Sequence, residues 1–182
     1  MQLNLQYLQV PDGEDVIRRT ADLLKPGGWL LVEEPDYGST LDDGGPAGSG
    51  ITEFLQTWLG MLRSRGADPC IGARLSAILQ ITGVFEEVNV EKLIIPYHDR
   101  TGGGNSAVSL PYTHLICLDP HLDELGKVWL NNAIQVVEDL SRRFPDDGLT
   151  RDVADKCIED LRDPKNKLTT DMYFTWSRKR CT

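Results

Sequence analysis

The chain has 182 residues, 40% hydrophobic and 26% charged, the balance of a soluble globular domain and not of a disordered one. A net charge of −9 excludes a nucleic-acid binder with a basic face and disfavours an anionic membrane surface. Cys70, Cys117, Cys157 and Cys181 are scattered without a C-x-x-C pair, which predicts neither a zinc site nor a disulfide framework, and the lack of a signal peptide or long apolar run predicts a cytoplasmic location.

Helical periodicity runs over residues 12–25, with Val16, Ile17, Thr20, Leu23 and Leu24 on one side. Pro11-Asp12-Gly13 enters this helix and Pro26-Gly27 stops it. Trp29-Leu30-Leu31-Val32 is a short apolar run bounded by turn signals, the pattern of a strand covered on both faces. Residues 42–50 form a Gly-rich loop. Ile51, Phe54, Leu55, Trp58, Leu59 and Leu62 then recur at the spacing of an amphipathic helix. A shorter helix is predicted over 72–81, with Leu75, Ile78 and Leu79 inward and Gly83 ending it.

Residues 88–95 read as a strand closed by Pro96, and Thr101-Gly102-Gly103-Gly104-Asn105-Ser106 as a flexible loop tip. Leu122, Leu125, Trp129, Val136, Leu140 and Phe144 mark a long helix, and Val153, Cys157, Ile158 and Leu161 another. The last strand shows in Met172, Phe174 and Trp176 alternating with Tyr173 and Thr175. Helix, strand, two helices, strand, two helices, strand is the order of an α/β layer architecture in a single domain with about three core strands.

Three segments carry a family resemblance: Leu24-Lys25-Pro26-Gly27-Gly28-Trp29-Leu30-Leu31-Val32-Glu33-Glu34, Thr82-Gly83-Val84-Phe85-Glu86-Glu87-Val88, and Asp171-Met172-Tyr173-Phe174-Thr175-Trp176-Ser177-Arg178-Lys179. They resemble the fifth, sixth and seventh strands of a class I S-adenosylmethionine-dependent methyltransferase of fungal secondary metabolism. Tyr7-Leu8-Gln9-Val10-Pro11-Asp12 resembles the segment after the fourth strand. The resemblance implies a truncated Rossmann-like methyltransferase domain over residues 1–182, a small mixed sheet flanked by helices, with a helical lid over about 107–163 facing a small-molecule substrate.

In that family a Gly-rich turn after the first strand approaches the cofactor, and an acid ending the second strand holds its ribose. Neither element is found in this sequence, so no cofactor and no cofactor-binding residue is expected. The resemblance also implies that strand 29–32 is without its neighbouring fourth strand. Its apolar edge is then expected to be covered in a homodimer, or else by a separate chain that supplies the missing half.

Glu33, Glu34 and Asp36 follow the first apolar strand, the end at which open α/β sheets bind ligands. Glu34 and Asp36 are candidate catalytic carboxylates and Tyr37 a candidate substrate hydrogen-bond donor, against the alternative of a solvated strand end with a helix cap. His98, after Pro96-Tyr97 and beside Asp99, is the third catalytic candidate, as a proton shuttle. His114 reads as half-buried, His121 as exposed, and no histidine spacing suggests a metal.

Tyr97, Trp129 and Asn132 are substrate-binding candidates, the last two through the lid, with core packing the competing reading for Trp58, Trp129 and Trp176. Gly45-Pro46-Ala47-Gly48-Ser49-Gly50-Ile51-Thr52 misses the phosphate loop because Ile51 stands where Lys is required. The expected function is a biosynthetic enzyme that cyclises, or rearranges by pericyclic reaction or isomerisation, a small secondary metabolite without S-adenosylmethionine. The alternative is a non-catalytic or partner-dependent subunit, or a fragment, of a methyltransferase. Neither nucleic acid nor membrane is an expected partner.

Overall fold

The computed structural model describes residues 10–38, 48–97, 121–166 and 168–181. In chain order these form α1 (Val10–Leu23), β1 (Trp29–Asp36), α2 (Ser49–Ser64), α3 (Ile71–Ile81), β2 (Phe85–Pro96), α4 (His121–Arg143), a 3-10 turn (Pro145–Asp147), α5 (Arg151–Arg162) and β3 (Thr169–Lys179). The α/β order is the one read from the sequence, and α4 and α5 fall in the segment expected to form the lid. Strand ends moved most: β1 runs on to Asp36, so Glu34 and Asp36 lie within the strand.

Two compact units are present, one of Met1–Gly44, Phe54–Ile94 and Thr170–Thr182, the other of Gly45–Glu53 and Ile95–Thr169. The first holds the sheet, whose strand order is β1-β3-β2. β1 and β3 are antiparallel, with Leu30 opposite Ser177, Val32 opposite Thr175, Glu34 opposite Tyr173 and Asp36 opposite Asp171. β3 also runs antiparallel to β2, since Lys92 meets Asp171 while Glu87 meets Arg178 and the Val84 carbonyl accepts from the Arg180 N–H. β1 and β2 therefore point the same way.

The backbone parity of β1 follows from one bond. The Lys179 N–H donates to the Gly28 carbonyl at 2.8 Å, so even-numbered residues of β1 bond to β3 and odd-numbered ones turn their amides to the other side. Pro35 occupies an odd position, where a missing N–H costs the β1–β3 ladder nothing.

Side chains divide by the same parity. On one face Leu30 and Val32 pack with Ile17 and Ala21 of α1, with Ile71, Leu75 and Leu79 of α3, and with Phe85. Gly72 lets α3 lie close on β1, because a Cβ there would stand 2.8 Å from the Glu34 carbonyl oxygen. Lys179 ties the end of α1 to β3, its Nζ donating to the carbonyls of Ala21 (2.8 Å) and Leu24 (2.9 Å).

The opposite face departs from the sequence reading. β1 is not covered on both sides: Trp29 is 52% and Leu31 51% exposed. On β3, Phe174 and Trp176 are only half-buried while Thr175 and Ser177 are fully buried, so the polar members of the alternating pattern face the helices. Burial on the helix side belongs to whichever parity β1 presents there, and register gives it to Thr175 and Ser177.

In the second unit α4 and α5 pack together. Thr150 caps α5, its hydroxyl accepting from the Val153 N–H at 3.4 Å. Asp160 of α5 caps the start of α2 from outside that helix: its Oδ2 accepts from the N–H groups of Gly50 (2.6 Å) and Ile51 (3.3 Å). Gly50 permits this approach, since a Cβ would meet the Lys156 carbonyl at 2.6 Å.

Candidate functional site

The last residues of β1 carry charge onto the buried face of the sheet. Glu34 is completely buried, Asp36 is 7% exposed, and Asp171, directly across from Asp36, is 4% exposed. Tyr173 is the cross-strand neighbour of Glu34. Lys92 of β2 completes the group, its Nζ 2.8 Å from Asp171 Oδ2 with the Lys92 side chain 43% exposed. The other oxygen of Asp171, Oδ1, is buried without a hydrogen-bond partner among the described residues.

The turn after β1 adds a second tier. Asp36 Oδ1 accepts from the Gly38 N–H at 2.9 Å, and the Tyr37 N–H donates to the Pro69 carbonyl at 3.2 Å. The Tyr37 ring meets Trp58 edge-on, with centroids 4.6 Å apart and planes at 72°. Cys70, just ahead of α3, brings its thiol beside Asp36, while the Cys70 N–H donates to Asp68 Oδ1 at 3.0 Å. Asp68 is held in turn by Arg74 at 2.7 Å.

Electrostatics assign protons within this group. Burial raises the Cys70 thiol, and the neighbouring Asp36 carboxylate raises it further. Burial also raises the Tyr173 phenol, with Lys92 opposing and Asp171 and Asp36 adding to the shift. At neutral pH both groups keep their protons, so they are hydrogen-bond donors beside carboxylate acceptors. Such a cluster can orient a hydroxyl or amine, or pass a proton to and from one.

Of the residues singled out from the sequence, Glu34, Asp36 and Tyr37 come together here. Neither carboxylate is a solvated strand end. Tyr97 and Trp129 belong to the second unit and pack on each other, with ring centroids 6.2 Å apart at 75°, Tyr97 being 7% exposed. Asn132 is exposed on α4, and His98 lies outside the described residues. Sequence reasoning missed Asp171, Tyr173, Lys92 and Cys70. The one usable signal was Asp171, a charged residue immediately ahead of the alternating Met172, Phe174 and Trp176.

Among the described residues no cluster of His, Cys, Asp and Glu has the form of a metal site, and no helix is long and apolar enough to cross a membrane.

No protein-family profile matches the chain. It is 34% identical over 90 residues to "Methyltransferase str3" of Strobilurus tenacellus, covering 48% of this chain and 31% of that protein. To "Methyltransferase str2" of the same organism it is 30% identical over 94 residues, covering 52% of this chain and 34% of the relative. Among solved structures, Haemonchus contortus phosphoethanolamine N-methyltransferase 2 aligns with 98% of this chain and 32% of its own at a TM-score of 0.43 and 14% identity. The resemblance to fungal methyltransferases thus holds in sequence over about half the chain, and the matches span about a third of the length of the curated relatives.

Proposed function

We propose that this chain is the substrate-handling part of a methyltransferase-like biosynthetic protein, and that the cluster at the end of β1 orients a small metabolite bearing a hydroxyl or amine. One observation carries the reading: three buried carboxylates, Glu34, Asp36 and Asp171, share a sheet face with Tyr173 and Lys92. Like charges directly across a ladder are destabilising, and a fold that retains them gives up stability where a site would use it.

Chemically, a substrate hydroxyl donates to Asp36, the less buried of the two β1 carboxylates, while the protonated phenol of Tyr173 donates to a substrate oxygen. Proton removal at one position and return at another suffices for cyclisation or isomerisation, with no group transferred. The names of the sequence relatives support a second reading, in which the same cluster positions the acceptor for methyl transfer completed by a cofactor-binding segment.

Incubation of the purified chain with a panel of hydroxylated aromatic metabolites, read by mass spectrometry, distinguishes the two. The first reading expects an isomeric product of unchanged mass without S-adenosylmethionine, and at least about a tenfold loss in Asp36→Asn and Glu34→Gln. A product gained only with S-adenosylmethionine, heavier by one methyl group, moves the function to methyl transfer. Unaltered turnover in both variants overturns the site.

A further inference from the structure

We propose that the free edge of β1 pairs with β1 of a second copy of this chain, antiparallel and centred on Leu31. Among the described residues β1 ends the sheet, and its odd-numbered residues, Trp29, Leu31 and Glu33, direct their backbone N–H and C=O groups away from β3. Those same residues carry the exposed side chains of the strand, Trp29 at 52% and Leu31 at 51%. An edge that is both unsatisfied and apolar is the usual template for strand addition.

The strand selects its own register. A two-fold axis through Leu31 sets Leu31 against the partner's Leu31, and Trp29 against the partner's Glu33. All of these are odd positions, so each pair faces bond to bond, for roughly six ladder hydrogen bonds. Shifting the axis toward Asp36 would bring Pro35 opposite the partner's Trp29 and remove a donor from each copy; in the Leu31-centred register Pro35 falls beyond the end of the partner's strand.

Charge favours the same alignment. Glu33 is exposed, and Arg178 is the cross-strand neighbour of Trp29 on the same face, so the partner's Glu33 comes two strand spacings, about 10 Å between Cα atoms, from Arg178. Arg178 also bonds Glu87 Oε1 at 3.3 Å and the Gly27 carbonyl at 3.3 Å, so the partner's Glu33 adds a second carboxylate around a shared guanidinium, twice per dimer. The pairing also continues the sheet across the axis and brings the two Trp29–Leu31 faces side by side.

Light scattering on the intact chain from about 1 to 100 µM tests the proposal, with a dimer mass expected at the upper end. Leu31→Lys should raise the dissociation constant by about tenfold or more, while the urea midpoint, read at the dilute end where both proteins are monomers, stays unchanged because Leu31 is half exposed and makes no bond to β3. Leu31→Cys should form a disulfide to itself, since hydrogen-bonded partners lie about 5.5 Å apart at Cα, within disulfide range, and peptide mapping separates it from the native cysteines. Trp29→Cys should cross-link with Glu33→Cys and not with itself. A monomer throughout, a dimer indifferent to Leu31→Lys, self-linking at Trp29 in place of Leu31, or a monomer that instead captures an extended peptide along β1 overturns it.

Discussion

Asp36 and Asp171 stand directly opposite each other on β1 and β3, both side chains on the helix-covered face and neither more than 7% exposed. Among the described residues Lys92 reaches this pair, bonding Asp171 at 2.8 Å. Removing Lys92 leaves a buried carboxylate opposite another, whereas removing the Asp171 charge relieves the repulsion and leaves a lysine that is 43% exposed to water. Lys92→Met should therefore destabilise by about 1–2 kcal/mol, a value discounted for the exposure of the lysine, and Asp171→Asn by less. Urea denaturation of both variants and the double variant gives the comparison; an Asp171→Asn cost larger than that of Lys92→Met contradicts the asymmetry.

The buried hydroxyls of β3 make a second case. Thr175 Oγ1 and Ser177 Oγ are buried with no hydrogen-bond partner among the described residues, across from Val32 and Leu30 in an apolar layer. Thr175→Val and Ser177→Ala should be neutral or stabilising by up to about 1 kcal/mol, since each removes a polar group that folding takes out of water uncompensated. A loss above that size in thermal unfolding means the hydroxyls are bonded in solution.

Gly72 governs how near α3 lies to β1. In Gly72→Ala the new methyl meets the Glu34 carbonyl oxygen at 2.8 Å, so the helix must withdraw. The expected cost is about 1–3 kcal/mol, with faster amide exchange in α3 as the accompanying sign. Equal exchange in both proteins would show that the contact is absent.

Cys157 supplies the pH dependence. Burial, with Asp160 adding to it, pushes the thiol from 9.0 up to about 12. The unfolded thiol ionises first, so its contribution to stability is complete below about pH 9 and is lost as pH rises toward about 12, at a slope of up to about 1.4 kcal/mol per pH unit. Comparison with Cys157→Ala isolates this term: the wild type should lose stability more steeply over that window. Alkylation of Cys157 in the native protein at neutral pH should be slow.

The Tyr37–Trp58 contact is a packing element beside the cluster. A double-mutant cycle with Tyr37→Leu and Trp58→Leu should give a coupling of about 0.5–1.5 kcal/mol for edge-on rings. Trp58→Phe should cost less than Trp58→Leu, because it keeps a ring and removes an indole N–H that is buried without a hydrogen-bond partner among the described residues. Zero coupling would mean that the two rings do not meet.

By itself the sequence determined the order of helices and strands, because periods of 3.6 and 2 are local properties, written within each element in residues such as Phe54, Trp58 and Leu62 or Met172 and Phe174. Gly27 and Pro26 likewise marked where α1 ends and β1 begins, since turn chemistry is local too. Only the tertiary structure decided that Glu34 and Asp36 are buried, that Asp171, Tyr173 and Lys92 join them, and that Trp29 and Leu31 are left outside. Those outcomes depend on register between strands distant in the chain, and one residue of slip would exchange the two faces of β1. Composition carries no record of that choice; the hydrogen-bond ladder to β3 makes it.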